Sequence, residues 1–242
     1  MPAGFPLTRH SVVSSLGSGE SGVRRAAFDA LATAYWKPVF KYVRLKWSAT
    51  PDEAADLTQA FFLRAYEKKY FASFDPARAR FRTYLRTCLD RFVANVRQES
   101  RRLKRGGGIE FVPFDFAAAE HELQRQHSGD AAQELDAFFH REWLRSLFTL
   151  AADRLRAQCA DNGRALRFTI FERYDLAADE SLQPTYAALA REMNLSVTDV
   201  TNELAAARRD FRRLVIAVLR EQCATDEEFE AEARALGPSH DL

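Results

Sequence analysis

The sequence has little of what staples, coordinates or spans. Its three cysteines, Cys88, Cys159 and Cys223, lie far apart and no CxxC occurs, which excludes a disulfide framework and a thiolate zinc site and fits a reducing compartment. The five histidines do not cluster, so no metal and no cofactor is expected. Mean hydropathy is −0.35 and no run of eighteen apolar residues exists, so no membrane-spanning helix and no membrane partner is expected. The opening MPAGFPLTRHSVVSSLGSG has no basic stretch followed by an apolar one, so no secretory signal is expected and the chain reads as cytoplasmic. Only ten glycines and eight prolines punctuate 242 residues, and period-two runs of Val, Ile and Thr are rare, which argues against β architecture.

What is present is helix-forming and unevenly charged. Hydrophobic residues make up 47%, enough to build real cores in one large or two small domains. The formal net charge is only +1, yet residues 76–105 carry ten Lys/Arg against two Asp/Glu, and residues 224–242 carry six acids against one arginine. The sign is segregated, so a near-neutral total does not exclude a nucleic-acid partner. Periodicity predicts helices over about 22–46, 51–69 and 81–103. Further helices are predicted over about 132–162, 165–174, 186–193 and 197–223. Thr50-Pro51-Asp52-Glu53 is a helix start, with Thr as N-cap, Pro in the first helical position and Glu at the capping-box place. The expected fold is all-α, in two helical domains. Residues 20–105 form the first, 106–131 a linker that opens on Gly106-Gly107-Gly108, 132–223 the second, and 224–242 a frayed acidic tail.

The second domain holds PTYAALAREMNLSVTDVTNELAAARRDFRRL, which has the layout of a helix-turn-helix. Ala187, Leu189, Ala190 and Leu195 are expected to pack the first helix on the second. Asn194 suits a left-handed turn position, and Ser196 with Asp199 approximates a capping box. Val200, Leu204, Ala207, Phe211 and Leu214 recur at helical spacing and are expected in the core. Thr198, Asp199, Thr201, Asn202 and Ala205 are then expected outward, where a recognition helix meets base edges, with Arg208, Arg209, Arg212 and Arg213 placed for phosphates. An ordinary helical hairpin with a solvated arginine face has the same spacing.

In the first domain, FRTYLRTCLDRFVANVRQESRRLKRGGG interleaves rings with arginines over residues 81–108. Single-stranded DNA calls for that combination, because rings accept unstacked bases and arginines track the backbone. Phe81, Tyr84 and Phe92 are the candidate rings; Arg80, Arg82, Arg86, Arg91, Arg97 and Arg101 are the candidate cations. Phe81, Leu85, Leu89 and Phe92 equally fit a core stripe, which leaves Tyr84 as the better surface candidate.

These segments resemble a known family. PDEAADLTQAFFLRAYEK and the FDPARARFRTYLRTCLDRFVAN segment are similar to region 2 of bacterial sigma-70-family factors of the extracytoplasmic-function (ECF) type. TYAALAREMNLSVTDVTNELAAARRDFRRL is similar to region 4. The resemblance covers about residues 20–105 and 135–222, in the family's order. It implies a non-enzymatic protein that binds core RNA polymerase, melts a −10 element and reads a −35 element as duplex. By position, Asp56 and Gln59 match the helix that docks on a coiled coil of the polymerase β′ subunit, with the β subunit as a further partner. They lie about 60° apart on a helical wheel, while Leu57 and Phe61 turn to the core. Arg80, Phe81, Arg82, Tyr84, Arg86, Arg91 and Asn95 match the −10-reading segment, and residues 73–80 the loop that pockets a flipped base. Thr198, Asp199, Thr201, Asn202, Arg208 and Arg209 match the −35-reading helix.

The chain departs from that pattern in three places. Ala55 and Ala60 stand where many relatives have acids, so the docking helix is short of charge. Thr201, Asn202 and Glu203 replace basic residues in the recognition helix, so no promoter sequence carries over. The middle segment, residues 132–174, is longer than in minimal members. The missing acids suggest, by the same resemblance, activation by a Ser/Thr protein kinase at Thr50 or Thr58, a phosphate adding about −1.5 to −2 charge at pH 7. An anti-sigma factor is the other regulator the family implies. The alternative function is a stand-alone helix-turn-helix DNA-binding regulator that never touches polymerase. An enzyme is a third class, but GxxxxGK[ST] is absent and no Ser/His/Asp or Cys/His set can be argued.

Overall fold

A computed structural model describes residues 12–100, 114–124, 134–177 and 183–236. Every regular element in it is helical: α1 (Val12–Ser15), α2 (Ser21–Lys46), α3 (Pro51–Glu67), a 3₁₀ turn (Tyr70–Ser73), α4 (Phe81–Ser100), α5 (Phe116–Gln124), α6 (Glu134–Asp161), α7 (Ala165–Asp175), α8 (Tyr186–Glu192), α9 (Val197–Gln222) and α10 (Asp226–Ala235). The predicted helices stand within a few residues of their expected bounds. The chain divides into two compact units. The first comprises residues 1–146 and 220–231, the second residues 147–219 and 232–242.

The division differs from the expected one. The stretch 106–131, read as linker, contains α5, and Ala119 and Leu123 of that helix are buried in the first unit. Its periodicity is weak in sequence because nine residues hold only about two and a half turns. The first thirteen residues of α6 also belong to the first unit, as does the acidic stretch 220–231, where α10 replaces the expected frayed tail. Asp226, Glu227 and Glu228 fill the first turn of α10, where acids favour the positive end of the helix dipole. The triple glycine and the basic run 101–105 lie outside the described residues.

The first unit is an aromatic core wrapped on α2. Phe28 of α2 stacks on Phe71 at 5.9 Å, and Tyr35 meets Phe81 edge-on at 5.9 Å. Phe61 of α3 lies 5.7 Å from Phe92 of α4. Trp36 stacks on Phe114 at 5.1 Å and meets Phe116 edge-on at 5.5 Å, which ties the α5 segment to α2. Each such pair adds about 0.5–1.5 kcal/mol beyond the area it buries.

Charge is buried alongside. Lys41 is 1% exposed, and its ammonium lies 2.6 Å from Glu142 of α6 and 2.8 Å from Glu122 of α5. Lys37 holds the other oxygen of Glu122 at 2.8 Å, and Arg145 reaches Glu142 at 2.6 Å. Nearby, Arg44 grips Glu120 through two bonds of 2.8 and 2.7 Å. Two separate chain segments, α5 and α6, therefore meet at one row of α2 cations.

The second unit closes its helices by local geometry. Gly163, at φ +66°, ends α6, with the Arg164 N–H bonded to Cys159 O and the Gly163 N–H to Ala160 O. That pair of bonds is a Schellman stop, and glycine takes its left-handed position without Cβ strain. Ile170, Leu189, Ala190, Val200 and Leu204 form the core of α7, α8 and α9.

Burial opposes the charge on Glu122, but the hydrogen bonds from Lys37 and Lys41 outweigh it and hold the carboxyl below its usual range. A depressed folded value means the contribution is complete above the unfolded carboxylate value, about pH 4.3, and is lost as pH falls through the folded one. The thermal-stability gap between wild type and Glu122→Gln should thus be flat near neutrality and shrink below about pH 4. Lys41→Met should cost about 3 kcal/mol in urea melts, because Glu142 stays buried with Arg145 alone, and Lys41→Met with Glu142→Leu should recover most of it.

Candidate nucleic-acid interface

Helix α3 starts as its sequence dictates. Thr50 is extended at φ −64° and ψ 163°, its hydroxyl accepts the Glu53 N–H at 3.2 Å, and Pro51 fills the first turn. The capping box is only half made, because the Glu53 carboxylate reaches Arg97 of α4 at 3.0 Å instead. Ala54, Leu57, Thr58, Phe61 and Phe62 are buried, while Asp52, Asp56, Gln59 and Ala60 are exposed. DLTQ therefore splits into an outward pair, Asp56 and Gln59, and an inward pair, Leu57 and Thr58. Thr58 is fully buried and its hydroxyl donates to Ala54 O at 2.7 Å. That corrects the expectation of Thr58 as a phosphorylation candidate, which needs an accessible hydroxyl. Thr50, the other candidate, is exposed.

Residues of α4 divide in a way the arginine–aromatic pattern alone does not reveal. Phe81, Leu85, Leu89, Phe92 and Val93 are core, so Phe81 and Phe92 are packing rings rather than stacking platforms. Tyr84 is half-buried: its hydroxyl donates to Tyr70 O at 2.8 Å and lies 2.8 Å from Ser73 Oγ. Burial raises its pKa above the ordinary phenol value. Burial likewise pushes up the Cys88 thiol, which makes it a poor nucleophile. Arg80, Arg91 and Asn95 are exposed.

Several groups already carry partners within the first unit. Arg86 pairs with Asp136 of α6 at 2.5 Å, and the Arg82 guanidinium sits 5.2 Å from the centre of the Trp143 ring. The first N–H of α4, on Phe81, donates to Glu228 of α10 at 2.9 Å, and the second oxygen of Glu228 takes the Ala224 N–H at 2.9 Å. Asp136, Trp143 and Glu228 thus contact the candidate residues of α4, and sequence reading missed them. Nothing in a linear pattern ties an acid to an arginine 50 residues away.

The helix-turn-helix geometry is present in the second unit. Asn194 is left-handed at φ 54°, with the Leu195 N–H bonded to Ala190 O at 2.9 Å and the Asn194 N–H to Arg191 O at 3.4 Å. This is the same helix stop as at Gly163, with Asn in the glycine position. One residue on, the capping box is complete: the Asp199 N–H donates to Ser196 Oγ at 3.0 Å, while the Ser196 N–H and hydroxyl both go to the Asp199 carboxylate at 3.2 and 2.6 Å. The Ser196 hydroxyl and N–H hold the Asp199 carboxyl below its usual range. Leu189, Ala190, Val200, Leu204, Ala207 and Phe211 are buried as expected. Ala187 is exposed, and Val215 takes the core place expected of Leu214.

Thr198, Asp199, Thr201, Asn202 and Ala205 all face outward, as does Arg209. Arg208 does not. It is committed to Asp175 of α7 through bonds of 2.9 and 2.7 Å and lies 5.6 Å from the centre of the Tyr174 ring, so it braces α7 against α9. Glu203 is likewise taken by Arg167 at 2.5 Å.

No helix among the described residues is long and apolar enough to cross a membrane. Comparison with known proteins gives no match to a family model, a curated protein or a solved structure.

Two substitutions separate the threonines. Thr58→Glu forces a charge into a fully buried site and should unfold the first unit, seen as loss of its cooperative melt. Thr50→Glu places an acid at the positive end of the helix and should stay within about 1 kcal/mol of wild type.

Proposed function

We propose that the chain is a sigma-70-family factor of the ECF type, which binds core RNA polymerase and directs it to promoters. The observation that carries this reading is the division of DLTQ on α3. Asp56 and Gln59 stand exposed together at the surface of a capped helix, while the two residues between them are buried. An exposed acid–amide pair on a rigid helix is a docking face, and a repressor that acts alone has no use for it. The α8–turn–α9 geometry supports the second half of the reading, because its outward residues are polar and sit on the first turns of a 26-residue helix.

In this reading Asp56 and Gln59 meet the basic coiled coil of the β′ subunit. Arg80, Arg91 and Asn95 offer an exposed track for a melted strand along α4. Arg82 and Arg86 join it by exchanging Trp143 and Asp136 for bases and phosphates. Thr50 is the position at which a kinase would restore the charge that Ala55 and Ala60 lack. Its phosphate would meet the positive end of α3.

Titration of purified core RNA polymerase with the labelled chain tests this directly. Wild type should bind, and Asp56→Ala should lose about tenfold, of the order expected for one charge-assisted contact. Thr50→Glu should bind more tightly than wild type if the helix is gated by phosphate. A wild type and a Thr50→Glu variant that both ignore polymerase, while duplex DNA is still bound, would establish the stand-alone regulator instead.

A further inference from the structure

Taking α8 and α9 as a duplex reader, as proposed above, we infer that α9 selects an adenine–thymine step. Asn202 pairs with the adenine edge, and Val197 and Thr201 pack on thymine methyl groups. The first turns of α9 carry an unusual set. Val197, Thr198, Thr201, Asn202 and Ala205 fall within about 140° of one another at 100° per residue, and all are exposed. Val197 is 47% exposed, a large apolar side chain on the surface of the helix start.

The hydrogen bonds decide what this face offers. The Thr201 hydroxyl lies 2.9 Å from both Val197 O and Thr198 O, so its proton is spent on its own helix and the γ-methyl is left outward. The Asn202 amide makes no hydrogen bond among the described residues. It therefore presents one acceptor and one donor side by side, the complement of adenine N6–H and N7 in the major groove.

The acids are out of the way. Asp199 is held by Ser196 and Glu203 by Arg167, and both lie off this face. No Lys or Arg occurs between Val197 and Ala207, so the bidentate donors that read guanine O6 and N7 are absent. Arg209 falls on the same stripe seven residues beyond Asn202, about 10 Å along the axis, and is exposed to meet a backbone phosphate. Apolar methyls, one amide and no guanine-reading cation leave an adenine–thymine preference.

The test selects duplexes from a randomised pool with the full chain, alone and with core polymerase, then measures Kd by fluorescence anisotropy. The selected sites should share an adenine whose replacement by 7-deazaadenine, which deletes the N7 acceptor, weakens binding about tenfold. Asn202→Ala should abolish that sensitivity, Asn202→Gln should keep it, and Asn202→Arg should move the preference toward guanine. Replacing thymine by uracil should weaken wild type a few-fold, Val197→Ala less, and leave Val197→Ala with Thr201→Ser unmoved. Specific duplex binding that is indifferent to Asn202, or a guanine preference in wild type, would overturn the inference while leaving the duplex reader intact. Loss of all specific duplex binding in both settings would overturn the duplex reader and the inference together.

Discussion

An ammonium ion with 1% of its surface exposed organises the first unit. Glu122 and Glu142 lie within 2.8 Å of the Lys41 ammonium, and those carboxylates come from α5 and α6. Removing a charge from water costs several kcal/mol, so any arrangement of α2 that left out either helix would strand a cation in the core. Lys37 and Arg145 extend the same network outward, and Arg44 repeats it one turn along with Glu120. The position of α5 and of the start of α6 follows from this need. So does the presentation of Asp136 and Trp143 to α4, since both stand on the stretch of α6 that Glu142 pins.

The exposed chemistry of the chain then sorts by what is left over. On α3, the core takes Leu57 and Thr58 and leaves Asp56 and Gln59. On α4, it takes the phenylalanines and leaves a partly committed row of arginines. On α9, the cap takes Asp199, α7 takes Glu203 and Arg208, and a mildly apolar face with one amide remains. A sigma-type reading draws on all three remainders at once, whereas a stand-alone regulator draws only on the last.

Much of this was legible in the sequence. The helices of residues 22–46, 51–69, 81–103 and 197–223 follow from strong periodicity and from caps with a mechanism. Asn194, Ser196 and Asp199 took the roles their chemistry assigns, because a turn of three residues is decided locally. Long-range choices were not legible. Phe81 and Phe92 read equally well as stacking rings or as core, and only the packing of α2 and α3 decides. Thr58 read as a phosphorylation candidate because a wheel drawn on one helix cannot show how wide the covering surface is. Arg208 read as a phosphate contact because its partner, Asp175, lies 33 residues away on another helix. The stretches 114–124 and 226–235 read as linker and tail because each is about two turns of helix that packing, rather than propensity, makes stable.

The first N–H of α4 is satisfied by Glu228, 147 residues further along the chain. Protein synthesis runs from one end to the other, so α4 leaves the ribosome long before the residue that completes its first turn exists. The first unit is therefore incomplete while only α2 to α4 have been synthesised. It reaches its final form only once residues 220–231 have followed, long after α2, α3 and α4 have been made.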